Sequence, residues 1–217
     1  SLSIARHAAE CGAEAAVLTP PYYFTMGQPE LLEYLERIMK QMPLPVFIYN
    51  MPVQTKFVFE PETVRAAASI PGIIGMKDSS SNLVYLKQVQ HAVKDHSDFT
   101  FLVGPEELLS EFVLTGGHGG VNGGSNMFPK LYVDLYNASL NRDYDTISRL
   151  QKKVMQISTT IYKTGHYGSS YLKGIKCVLS VMGICSDFMA EPFQRFKEPE
   201  RLKIIRYLDE LNYKELL

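Results

Sequence analysis

Short apolar runs alternate along the chain with stretches whose apolar residues recur every three or four positions. The runs Ala15-Ala16-Val17-Leu18, Pro45-Val46-Phe47-Ile48-Tyr49, Ile73-Ile74-Gly75-Met76-Lys77 and Phe99-Thr100-Phe101-Leu102-Val103 predict strands near 15–19, 45–49, 73–77 and 99–103. Gly119-Gly120-Val121-Asn122-Gly123-Gly124 is weak as a strand by propensity, but its place in the alternation predicts a fifth at 119–123. Residues 1–11 predict a helix stopped at Gly12, with no strand before it. After Pro29, Leu31, Leu35, Ile38 and Met42 follow a helical period. Pro61 opens a helix containing Val64 and Ala68, and Leu83, Leu86, Val89 and Val93 mark another. Pro105-Glu106-Glu107 has the proline and acids of a helical first turn. From Met127 onward only helical patterns occur, over roughly 128–141, 144–163, 169–182 and 199–216.

Strict alternation of strand and helix predicts parallel strands joined by right-handed crossovers. The strands are apolar on both sides, as a sheet covered on both faces requires. A doubly wound sheet and a (β/α)8 barrel both fit. The first is disfavoured because no GxGxxG follows a strand and opens a helix. The second gains from the placement of reactive residues. Thr19, Tyr23, Tyr49, Lys77, Glu106 and Asn122 all fall at or just beyond a strand's C-terminal end, and in a barrel those ends meet at one mouth. The expectation is an α/β barrel portion over 1–142 followed by a helical region over 143–217.

The formal net charge of −1 gives no electrostatic case for nucleic acid or an anionic membrane surface. No apolar stretch reaches membrane-spanning length, and the N-terminus carries no charged-then-apolar signal. Cys11, Cys177 and Cys185 show no CxxC or Cys/His spacing, which fits a reducing, cytoplasmic setting with the three as small buried residues. The five histidines show no ligand spacing either, so neither metal nor cofactor is expected.

Lys77 is the most informative position. A lysine that ends an apolar strand must reach water or lose its charge, and the free amine is a nucleophile toward a carbonyl. Tyr49 ends the preceding strand and can move protons beside it. Taken singly, each residue also reads blandly, as a strand-capping lysine and a rim tyrosine.

With these motifs in order, the chain resembles the pyruvate-dependent lyase family of dihydrodipicolinate synthase and N-acetylneuraminate lyase. The matching stretches are Leu18 through Tyr23, Tyr49-Asn50-Met51-Pro52, Gly75-Met76-Lys77-Asp78, Val103 through Glu107, and Gly116 through Asn126. The resemblance implies a (β/α)8 barrel of which strands 4–8 are present, with the first three βα units missing by N-terminal truncation and a C-terminal helical extension. It implies a class I aldolase or lyase acting on pyruvate and an aldehyde, in a homotetramer. Lys77 would form the Schiff base, Tyr49 would serve as acid/base, and Tyr23 would relay protons across a subunit interface. Ser79, Gly104, Glu106, Val121, Asn122 and Gly123 would line the substrate site.

Within that family, synthase members carry an arginine shortly after YNxP that grips a second carboxylate. Here Gln54 takes that place, with Lys56 two positions on. Gly123-Gly124-Ser125-Asn126 and Lys77-Asp78-Ser79 look more like 2-keto-3-deoxy sugar-acid aldolases, and Gly174 through Leu179 like neuraminate lyases. The favoured expectation is therefore cleavage or formation of such a sugar acid or of N-acetylneuraminate. Condensation of pyruvate with aspartate semialdehyde is the alternative, and a non-catalytic binding paralogue the second.

Overall fold

The computed structural model describes residues 1–24 and 26–216. Five strands form one parallel sheet: β1 (Ala16–Leu18), β2 (Val46–Asn50), β3 (Ile73–Asp78), β4 (Thr100–Val103) and β5 (Gly119–Gly120). Their spatial order equals their order along the chain, β1-β2-β3-β4-β5. A doubly wound sheet would reverse that order at a switch point, so the winding is that of a barrel wall. β5 is two residues long because glycines supply no side chains to hold a longer pairing.

The structure divides into two compact units. The first holds 1–108 and 116–121, and with them the whole sheet; the second holds 109–115 and 122–217. In the first unit, α1 (Leu2–Glu10) precedes β1, and α2 (Gln28–Met39) follows it. After β2 comes α3 (Pro52–Thr55), a single turn that no periodicity announces, and then α4 (Pro61–Ala68). The next helix, α5 (Leu83–Ala92), follows β3 and starts at Asn82, whose side chain accepts the Tyr85 N–H as an N-cap. In the second unit α6 (Leu109–Leu114), α7 (Pro129–Leu140) and α8 (Tyr144–Thr160) pack in succession, followed by α9 (Ser170–Val181) and α10 (Glu198–Leu211).

Among the described residues the two faces of the sheet differ in exposure. Val46, Ile48, Met76, Phe101 and Val103 are buried on the face on which α4 packs. On the other face Val17 is 54% exposed, and Phe47, Tyr49, Lys77 and Leu102 are half-buried. Gly75 belongs to that second face, where a Cβ would lie 2.3 Å from the Thr100 carbonyl oxygen and 2.6 Å from the Phe47 ring. Only glycine lets the ring lie across the strand there. The cysteines depart from expectation: Cys177 is buried, whereas Cys11, at the end of α1, and Cys185, in the bend after α9, are exposed.

Two polar residues interrupt the covered face at its C-terminal edge. Asn50 and Asp78 are both fully buried, and the Asn50 amide donates to the Asp78 carboxylate at 2.7 Å. Burial pushes the Asp78 carboxyl above the ordinary carboxylate range, while the bonds from Asn50 and Ser80 pull the other way. A raised acid holds its proton more tightly in the folded chain than in the unfolded one. Its contribution to stability is then present below the unfolded pKa of about 3.9 and is lost as pH climbs through the folded value. Urea unfolding across a pH series checks this. Asp78→Asn should flatten the fall in stability as pH rises from about 4, relative to the wild type. An unchanged slope would mean that Asp78 titrates alike in both states.

Candidate active site

The parallel register pairs Tyr49 with Lys77 and Asn50 with Asp78. Side chains alternate along a strand, so the two pairs point to opposite faces. Tyr49 and Lys77 share the partly open face at the strands' C-terminal ends. Lys77 Nζ lies 4.4 Å from the centroid of the Tyr49 ring. The Tyr49 phenol is hydrogen-bonded to Ser79 Oγ at 3.1 Å. Ser79 is held in turn by its own N–H, which donates to the Asn50 carbonyl at 2.8 Å.

Gly104 completes this group from the end of β4. Its N–H donates to the Asp78 carbonyl at 2.7 Å, and a Cβ at this position would stand 2.1 Å from Ser79 Oγ. A side chain there would displace the hydroxyl that meets Tyr49. Chemically, the arrangement offers an amine, a phenol and an alcohol side by side, the latter two already sharing a proton path.

The other residues singled out in the sequence are placed differently. Tyr23 is 84% exposed in the loop after β1, its ring edge against Phe24, so it is not seated against Tyr49. Glu106 is buried at the head of the short 3-10 turn Glu106–Leu108. Val121 is half-exposed, and its N–H continues the sheet pairing by donating to the Val103 carbonyl. Asn122 and Gly123 belong to the second unit. There the Asn122 carbonyl accepts the Ser125 hydroxyl, and the space over Gly123 is filled by Tyr171, whose hydroxyl oxygen lies 1.6 Å from where a Cβ would be. Gly123 thus makes room for a tyrosine of α9 rather than leaving an open trough for ligand. The sequence signal for this is the helical spacing that puts Tyr171 on the same stripe as Gly174 and Ile175, small and apolar neighbours that allow the helix to approach closely.

Gln54, the third residue of α3, is exposed. Lys56 follows with φ at 58°, a left-handed cap to the turn, and its Nζ donates to the Val53 carbonyl at 3.0 Å. The ammonium therefore closes its own turn. Among the described residues, no group of three or more His, Cys, Asp or Glu side chains is arranged to hold a metal ion, and no helix is long and apolar enough to cross a membrane.

Dihydrodipicolinate synthase from Bacteroides thetaiotaomicron is 57% identical, with a TM-score of 0.93 over 96% of this chain and 70% of that one. YagE, a prophage protein of the dihydrodipicolinic acid synthase family from Escherichia coli K12 solved in complex with pyruvate, is 27% identical, with a TM-score of 0.89 over all of this chain and 71% of that one. An uncharacterised DapA-like lyase of Halobacterium salinarum is 29% identical over 91% of this chain and 62% of its own length. The chain thus spans about three fifths of the length of that relative. Residues 1–211 match the model of the dihydrodipicolinate synthetase family, and the chain belongs to that family.

Proposed function

We propose that this protein is a pyruvate-dependent class I aldolase or lyase in which Lys77 captures the substrate as a Schiff base. The observation that carries the reading is the register pairing of Lys77 with Tyr49, amine over ring, with the phenol bonded to Ser79. In the synthetic direction the neutral Lys77 amine attacks the keto carbon of pyruvate. The carbinolamine loses water to give an iminium, with Tyr49 delivering the proton that water needs to leave. Loss of a methyl proton yields an enamine whose carbon adds to an aldehyde, and water then hydrolyses the new iminium and returns the free lysine. Cleavage is the same sequence reversed. A cytoplasmic homotetramer in a complete (β/α)8 barrel belongs to the same reading.

For the aldehyde partner we favour a sugar-acid chain. Gln54 provides hydrogen bonds but neither the charge nor the two-pronged fork with which arginine holds a carboxylate. Lys56, which could have stood in, is turned to the Val53 carbonyl. YagE, provisionally named a 2-dehydro-3-deoxy-D-gluconate aldolase, is 31% identical over 159 residues, 72% of this chain and 53% of its own length, and supports this choice. One observation favours the second reading, condensation with aspartate semialdehyde: the 57% identity to the Bacteroides thetaiotaomicron dihydrodipicolinate synthase.

Two measurements test these proposals on the intact protein. Borohydride reduction in the presence of pyruvate should add one pyruvate-derived group to the peptide containing Lys77; labelling elsewhere, or none, removes the Schiff-base mechanism. Substrate choice is read from kcat/KM for cleavage of 2-keto-3-deoxy sugar acids and N-acetylneuraminate against condensation with aspartate semialdehyde. A missing charge-assisted hydrogen bond is worth roughly 1.5–3 kcal/mol, or about one to two decades in rate. Cleavage should lead by at least that margin, and Gln54→Arg should narrow it. A lead for aspartate semialdehyde in the wild type would establish the synthase.

A further inference from the structure

The Asn50–Asp78 pair lies directly behind Tyr49 and Lys77, one residue further along each strand and on the opposite face. The pair is the centre of a closed network. Asn50 Nδ2 donates to Asp78 Oδ1, and Asn50 Oδ1 accepts the Phe59 N–H at 3.2 Å. Asp78 Oδ2 accepts both the N–H and the hydroxyl of Ser80, at 3.0 and 2.8 Å. The Phe59 carbonyl accepts the Tyr85 hydroxyl at 2.6 Å, and Ser80 Oγ accepts the Asn82 N–H at the start of α5. The ends of β2 and β3, the segment before α4 and the first turn of α5 are therefore tied to one buried polar contact.

The register of these two strands needs such a tie. Their remaining residues are mostly apolar, and apolar side chains accept several alignments with small differences in energy. The ladder itself is irregular: Val46 pairs with Ile73, but Phe47 already pairs with Gly75. Beyond that irregularity, the alignment is set where side chains fit one partner alone, at Phe47 over Gly75 and at the polar pair of the C-terminal end. A slip of one residue would bring Asp78 out to the face of Tyr49, leave the Asn50 amide without its partner and turn the Lys77 ammonium into the covered apolar face.

We propose that Asn50 and Asp78 are positioning residues, whose buried hydrogen bond fixes the register that holds Lys77 against Tyr49. This rests on the Schiff-base reading of Lys77. It assigns to the YN and KD dipeptides a division of labour, in which the first residue of each meets substrate and the second meets its counterpart across the strands.

The network allows a demanding test, because it can be inverted without losing a bond. In the exchange N50D/D78N, the carboxylate moved to β2 would accept from the Phe59 N–H and from the amide moved to β3. The carbonyl of that amide would accept both Ser80 donors. Asn50→Asp alone places two acids together, and Asp78→Asn alone sets two amide groups against each other or against Ser80. The measured quantity is the rate of imine trapping at Lys77 by pyruvate and borohydride, per folded molecule and well below each variant's melting temperature, together with kcat and KM.

Misplacing a reacting group by about 1 Å costs around a hundredfold. Each single variant should therefore trap roughly ten- to a hundredfold more slowly, mainly in kcat, and the exchange should return to within about threefold of wild type. Folded single variants that trap at the wild-type rate would overturn the inference. So would an exchange that stays slow or does not fold, since it keeps every bond. If a single variant does not fold, the exchange decides alone. A wild type that never traps at Lys77 removes the Schiff-base reading and this role with it, whereas normal trapping in wild type and variants alike removes only the role.

Discussion

Everything around the candidate site depends on the parallel register of β2 with β3. Strand alternation sorts side chains into two faces, and register decides which partner each one meets. Here it brings an amine beside a phenol on one face and an amide beside a carboxylate on the other. The two pairs look away from each other, yet neither can be placed independently. Backbone bonds extend the same constraint outward, from Ser79 to the Asn50 carbonyl and from Gly104 to the Asp78 carbonyl. The hydroxyl that meets Tyr49 is thus placed by the ladder as much as by its own side chain.

The two faces solve different problems. On the helix-covered side Asn50 and Asp78 are fully buried, so a carboxylate survives there only with its acceptors filled; the Asn50 amide and two donors from Ser80 fill them. A satisfied network of this kind discriminates sharply between arrangements, because any misalignment leaves a buried group unpaired. On the partly open side the proposed chemistry demands the reverse. Its groups must remain available to a ligand, and its close contacts are made by removing side chains, at Gly75 under the Phe47 ring and at Gly104 beside Ser79. Specificity of fold is therefore concentrated behind the chemistry, where it does not compete with substrate for the same atoms.

Much of the fold was legible because period-two and period-3.6 patterns record which side of an element is buried. Strands predicted at 45–49, 73–77 and 99–103 appear at 46–50, 73–78 and 100–103. The misses have physical causes. The α3 turn is too short to carry a period, and it is fixed instead by Pro52 and the bonds of Thr55 to the backbone. Gly119–Gly120 marks where glycine ends a strand early. A glycine run says nothing about a side chain arriving from elsewhere in the sequence, as Tyr171 does over Gly123. The Asn50–Asp78 contact left a readable trace: two strands end in a chemical residue followed by a polar one. Alternation alone predicts that the second residues of YN and KD point away from the first.

In the proposed reading, donor chemistry and acceptor choice are carried by different kinds of structure, which bears on what family membership can mean. The groups proposed to act on pyruvate project from paired strands, where register fixes them and sequence change is costly. Gln54 projects from an exposed single turn after β2, where replacement disturbs no core contact. A fold can therefore keep its reacting groups while the residue facing the second substrate drifts. Relatives that share this architecture bear different activity names, among them the Bacteroides thetaiotaomicron synthase and YagE. Identity averaged over a chain weighs every scaffold position equally with the few that face a substrate. If Gln54 faces the second substrate as proposed, a single exposed position is enough to change which aldehyde binds, because the free energy at stake is that of one charge-assisted contact, small beside the fold's total but large beside a difference in specificity.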